Sequence, residues 1–234
     1  MTEIPKVLTV DSNSHDGSIS RPAAVVAADA KAMLEERKQR LDLKKASENW
    51  WNTIKRNPSL LNEWLIDQYR GEKGAYDRMT EILNSDIPMT PKQKTVLGII
   101  SQEELLHSQW IQELLQSRMS SEESVKLSAV PVEERYWSQT LPTFIDKTIE
   151  QLFAIGAHAE EMRLHRIRAI VNDSSDIHPD IKQVFERILT DELFHAKAFK
   201  GMTTEKDYQE AIDKHVEGLN ALNPIPYGGG IHVT

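Results

Sequence analysis

The feature that most restricts this chain is a pattern that occurs twice. The segments "SQEELLHSQW" (101–110) and "TDELFHAKAF" (190–199) each set a Glu-x-x-His into an apolar, helix-forming run. The pairs are Glu104/His107 and Glu192/His195, and 88 residues separate the equivalent positions. The same offset matches Glu72 in "RGEKGAYDRM" with Glu160 in "HAEEMRLHRI". Each half therefore carries a Glu and, 32 residues later, a Glu-x-x-His.

Helical periodicity decides where these side chains point. Residues three and four apart share a face. On that rule Leu65, Tyr69, Glu72, Tyr76, Met79 and Leu83 form one stripe, and Leu97, Ile100, Glu104, His107, Ile111 and Leu114 form a second. Ile149, Phe153, Ala157, Glu160, Leu164, Ile167 and Val171 form a third, and Ile181, Phe185, Ile188, Glu192, His195 and Phe199 a fourth. Four Glu and two His are thus predicted to face a core. Glu161 competes with Glu160 for the inward position, but its helical neighbours include His158, His165 and Arg168, so it is expected to face water. His158 and His165 lie off the inner stripe and are expected at the surface.

Four carboxylates cannot share a dry interior unaided. Burying one ionised carboxylate costs several kcal/mol even after relaxation, and like charges side by side raise that cost. Something cationic must accompany them. Two divalent ions would offset four negative charges, and carboxylate with imidazole suits iron or manganese. A single Glu-x-x-His on a helix is common and carries little weight alone. Here both copies are in phase with apolar stripes, and of eight histidines only His107 and His195 follow a Glu by three residues.

The rest of the chain reads as all-α. Residues 1–24 form a polar arm, 25–222 a single helical domain with its bundle core at 59–202, and 223–234 a tail. Helices are predicted over a stretch beginning near Ala24, then at about 59–84, 91–119, 143–172, 178–202 and 204–222. Thr90 is expected to cap the third, with Pro91 in its first position. Trp50 and Trp51 should anchor the first helix on the bundle. Two tightly joined long helices, a long connection at about 120–142 and a second tight pair make a four-helix bundle with one crossover, flanked by an extra N-terminal and an extra C-terminal helix. The tail "YGGGIHVT" reads as a disordered segment, or one ordered in an oligomer.

Composition narrows the function classes. The chain has no cysteine, which excludes disulfides, thiolate metal sites and a Cys nucleophile. No apolar run approaches the roughly 20 residues of a membrane span, and the N-terminus lacks a secretory layout, so a cytoplasmic location is expected. A net charge of −8 argues against a broad nucleic-acid surface.

On these motifs the chain resembles the ferritin-like superfamily of carboxylate-bridged dimetal proteins over residues 59–202. The resemblance implies that Glu104 and Glu192 bridge two metals, that Glu72 and Glu160 are terminal ligands, and that His107 and His195 complete one metal each. "EELLH" and "DELFH" are similar to the paired motifs of bacterial di-iron monooxygenases and ribonucleotide reductase small subunits. By that likeness Asp191 would orient His107 and Glu103 would orient His195, since a metal-bound imidazole needs an acceptor for its other N–H. "GEKGAYDRM" is similar to the opening motif of demethoxyubiquinone hydroxylases, whose membrane-seeking helix is missing here. "EELLHSQWIQELLQSRM" is similar to the matching helix of the bacterial tRNA hydroxylase. The subfamily stays open between them.

The function implied is that of a non-haem di-iron oxidoreductase that activates dioxygen to hydroxylate or oxidise an organic molecule. The cofactor would be two Fe, with Mn or a mixed Mn/Fe pair as alternatives. The alternative functions are ferritin-type iron oxidation and rubrerythrin-like or Mn-catalase-type peroxide removal. The partners expected are a small-molecule substrate, O₂ and an external electron donor. No membrane partner is expected, tRNA stays open, and assembly as a homodimer is compatible with the pattern. Tyr69 and Tyr76, about a turn either side of Glu72, are candidates to line a pocket or relay electrons, beside a plain role as core aromatics.

Overall fold

A computed structural model describes residues 42–120 and 147–221, the side chains of 216–221 excepted. Six helices and no strand are found among the described residues. They are α1 (42–54), α2 (Pro58–Leu83), α3 (Pro91–Arg118), α4 (Ile149–Val171), α5 (Pro179–Lys200) and α6 (Glu205–Ala221). The polar arm, the start of the first helix, the long connection beyond residue 120 and the tail lie outside the described residues.

Local chemistry explains the helix starts. Asn57 caps α2 through its side chain, which accepts from the Leu60 N–H, and Pro58 takes a first-turn position where no N–H is needed. Thr90 and Gln93 form a capping box at the start of α3, again with proline in the first turn. The fourth helix departs from expectation. It begins at Ile149, not near 143, because Thr148 and Gln151 form a second capping box there. Thr204 caps α6 by accepting from the Asp207 N–H.

Short links fold α2 against α3 and α4 against α5 as two helical hairpins, which meet through α3 and α5, while α6 lies on α4. The α4–α5 approach is close. A Cβ on Gly156 would come within 2.9 Å of the Phe199 ring, so glycine there lets Phe199 stack on Phe153 at 5.7 Å between centroids.

Apolar packing forms two separate clusters. One holds Trp50, Trp51, Leu61, Trp64, Leu65, Ile111, Ile167, Ile181, Phe185 and Ile188, among others. The second holds Ile82, Leu97, Ile100, Ile149, Phe153, Ala157 and Phe199. Along every one of α2 to α5 the predicted Glu or Glu-x-x-His falls between a residue of one cluster and a residue of the other. A polar layer therefore divides the core. Each fully buried Leu, Ile or Phe contributes about 1.5–3 kcal/mol, and the two clusters together can offset what that layer costs.

The first helix is held as the tryptophans suggest. Trp50 and Trp51 are buried, with ring centroids 5.2 and 6.3 Å from Trp64. The Trp51 indole N–H donates to Asp173 Oδ2 at 2.8 Å, and the Lys55 ammonium donates to both Asp173 oxygens at 2.9 and 3.0 Å. This pins α1 to the α4–α5 turn.

Candidate metal centre

Glu72 on α2, Glu104 and His107 on α3, Glu160 on α4, and Glu192 and His195 on α5 are all buried, five of them with no exposed surface at all and Glu160 at 5%. Their donor atoms gather in two overlapping groups. Glu72, Glu104, His107 and Glu192 each offer a donor within 4.8 Å of the others, and so do Glu104, Glu160, Glu192 and His195. Glu104 and Glu192 belong to both. Buried Glu and His groups of this kind can hold a metal ion.

The two histidines are fixed from outside. His107 Nε2 lies 3.1 Å from Asp191 Oδ2, and His195 Nε2 lies 2.9 Å from Glu103 Oε2. An imidazole whose Nε2–H donates outward to a carboxylate turns Nδ1 inward, where losing its proton exposes a lone pair for a metal. The inward atoms carry no hydrogen bond: Nδ1 of His107 and His195, both oxygens of Glu72, Glu104 and Glu192, and Oε2 of Glu160. Nδ1 of His107 is 3.4 Å from Glu192 Oε1 and 3.8 Å from Glu72 Oε2, while Nδ1 of His195 is 3.1 Å from Glu104 Oε1. Buried polar atoms without a hydrogen bond are costly, and these carboxylate oxygens and imidazole nitrogens are atoms that a cation would satisfy. The donor chemistry fits.

The charges disturb one another strongly. Burial raises the Glu104 carboxyl and the charge of Glu192 raises it further, against the pull of His195. Glu160 is pushed well above the usual range by burial and by Glu192 and Glu104. Burial opposes the charge on Glu192 too, but Arg163, His107 and His195 hold it well below its ordinary value. Burial also opposes charge on the imidazoles, yet Glu192, Glu104 and Asp191 raise His107 to about 9, and Glu104 and Glu192 raise His195 to about 10.

One member of the cluster was not foreseen. Arg163, one turn beyond Glu160 on α4, puts Nη2 against Glu72 Oε1 and places Nη1 3.3 Å from Glu192 Oε1 and 3.9 Å from Glu104 Oε2. Its side chain is 16% exposed. The signal was in the sequence as Glu160-x-x-Arg163, the same spacing as the two Glu-x-x-His pairs.

The remaining candidates are placed as follows. Tyr69 is half-buried against the first apolar cluster, and the Lys73 ammonium lies 4.8 Å from the ring centroid of Tyr76, also half-buried. Glu161 is exposed and accepts from the Tyr208 hydroxyl. His158 contradicts the expectation of a surface position. It is buried, with Nε2 2.6 Å from His215 Nδ1, because α6 covers the outer face of α4. His165 is half-buried rather than exposed.

No described helix is long and apolar enough to cross a membrane. No protein-family model, curated protein or solved structure matches this chain.

Proposed function

We propose that this chain is a ferritin-like dimetal protein whose centre holds two iron ions, and that it activates dioxygen to hydroxylate or oxidise a small organic molecule. The single observation that carries the reading is the mirrored donor set: two overlapping Glu/His groups that share Glu104 and Glu192, each with its imidazole oriented by an acid of the opposite hairpin. One ion would take Glu72 and His107, the other Glu160 and His195, with Glu104 and Glu192 common to both. The helical hairpins and their contact through α3 and α5 support a bundle of the crossover type. Manganese, or one ion of each, satisfies the same donors.

Two Fe(II) ions bound there would supply a pair of electrons to O₂. The chain's own residues supply the setting. Asp191 and Glu103 fix the two imidazoles so that Nδ1 faces inward. The apolar clusters on both sides exclude water from the layer between them. Each turnover would leave the irons oxidised, so an external electron donor would have to reduce them again.

The test is anaerobic loading with iron, reduction and mixing with O₂ in a stopped-flow instrument. The proposal expects O₂ uptake and iron oxidation faster than for the same iron free in buffer. It also expects an organic substrate to be oxidised at the expense of the reductant. A reduced, iron-loaded protein that is inert to O₂ would refute it. Rapid O₂ release from H₂O₂ by the manganese-loaded protein would select peroxide removal instead, and an iron-filled cage would select storage.

A further inference from the structure

The geometry points to Arg163 as a built-in rival of the metal: a cation carried by the chain itself, holding the carboxylates of α2, α3 and α5 together until ions displace it. The inference rests on the dimetal reading above and concerns how that site loads.

Arg163 reaches the carboxylates of Glu72, Glu192 and Glu104. All three belong to the first of the two donor groups, the one completed by His107. A guanidinium and a divalent ion cannot both lie against the same carboxylate oxygens, because two cations in contact would repel within a poorly screened interior. In protein stripped of metal, Arg163 is a fixed positive charge that reaches Glu72, Glu104 and Glu192. Removing it leaves buried like charges facing one another, which is costly. Metal entry must therefore break these pairs, and the observed affinity is the intrinsic one reduced by that cost. Displacement means withdrawing a guanidinium whose Nε and Nη2 are buried, although the side chain as a whole is 16% exposed.

The rivalry is uneven. Glu104 and Glu192 are common to both groups. Of the two unshared carboxylates Arg163 pairs with Glu72, while Glu160 feels the charge of Arg78 without an ion pair to Arg163. The position equivalent to Arg163 in the other half of the repeat is Ala75. Arg163 contacts Glu72, which serves only the His107 group, whereas none of its ion pairs involves Glu160 or His195. Loading should then occur in two unequal steps. The Glu160/His195 side fills first, and the Glu72/His107 side fills second, against Arg163.

The experiment is a calorimetric titration of chelator-treated protein with Mn(II), for wild type, Arg163→Gln, Arg163→Ala and Arg163→Lys, with thermal unfolding before and after metal. Wild type should show two steps. In Arg163→Gln the second step should tighten at least tenfold, while the metal-free protein melts at a lower temperature than wild type. Arg163→Lys, which keeps a charge without the planar fork, should fall between them. Guanidinium at low millimolar concentration should weaken the second step in Arg163→Ala and leave wild type unchanged, an effect that a merely structural arginine would not produce. Wild type binding two ions with Arg163→Gln binding equally or more weakly overturns the inference and leaves the dimetal reading standing. Binding by neither protein overturns both.

Discussion

Asp191 on α5 lies 3.1 Å from Nε2 of His107 on α3, so the histidine of one hairpin is aimed by an acid of the other. Glu103 and His195 repeat the arrangement at 2.9 Å in the opposite direction. These cross-links tie the hairpins together at the level of the carboxylates. Outer acids of this sort typically contribute 10–100-fold to metal affinity. Asp191→Ala is predicted to weaken metal binding by about that factor. Because Asp191 is about a third exposed, the stability of the metal-free protein should change little. Paired equilibrium dialysis and thermal melts measure both quantities. An Asp191→Ala protein with unaltered metal affinity would remove the orienting role.

Metal binding should expel protons. His107 and His195, raised to about 9 and about 10, hold protons on the free protein at neutral pH, and a metal ligand must be deprotonated. Affinity should rise with pH until those folded-state values are passed. Titration with Mn(II) in buffers of different ionisation enthalpy is predicted to show at least two protons released per fully loaded chain, one for each imidazole and any held by the raised carboxyls of Glu160 and Glu104. No dependence of the heat on the buffer would contradict it.

Asp173 should govern acid stability. Burial alone would raise its carboxyl, but hydrogen bonds from Lys55, Ser175 and Trp51 hold it far below the usual carboxylate range. A depressed folded value means that this stabilisation is complete above the unfolded value of about 3.9 and is lost as pH falls through the folded one. Asp173→Ala strands the nearly buried Lys55 ammonium and is predicted to cost about 3 kcal/mol at pH 7. The gap from wild type should narrow below pH 3. Thermal unfolding across pH, with chelator present, checks both statements, and a neutral effect at pH 7 would dismiss the clamp.

The α6 helix should loosen in mild acid. His215, packed against His158, is pushed down to about 4 by burial, then by His158 and Arg166. Its folded value lies below the unfolded one, so docking is strongest above about pH 6.5 and weakens as pH falls toward 4. The slope can reach about 1.4 kcal/mol per pH unit. Hydrogen exchange of the α6 amides should quicken between pH 7.5 and 5, after correction for intrinsic rates. His215→Phe should remove most of that dependence. An unchanged dependence in the variant would assign the effect to other groups.

Much of the centre was legible because helical period and repeat agree. Glu72, Glu104, Glu160 and Glu192 each interrupt an apolar stripe, and the interior of each stripe is buried, from Leu97 and Ile100 on α3 to Phe185 and Ile188 on α5. Residues whose surroundings depend on another helix were not legible. His158 lies off the inner stripe of α4, so its burial follows from where α6 packs. Arg163 shares the face of Glu160 three residues earlier, but as a charged residue it reads as a solvated side chain. Its length lets the guanidinium reach the carboxylates. The start of α4 was not legible from helical period, which does not say where a helix begins. The capping box of Thr148 with Gln151 marks it.

Metal stoichiometry tests the central claim most directly. Protein produced with iron or manganese, freed of loosely held ions and measured by elemental analysis, is predicted to carry two ions per chain. Glu104→Ala and Glu192→Ala, each removing a carboxylate common to both donor groups, should lose most of that metal while remaining helical by circular dichroism. Wild-type protein that retains no metal, or folded variants that keep both ions, would contradict the account.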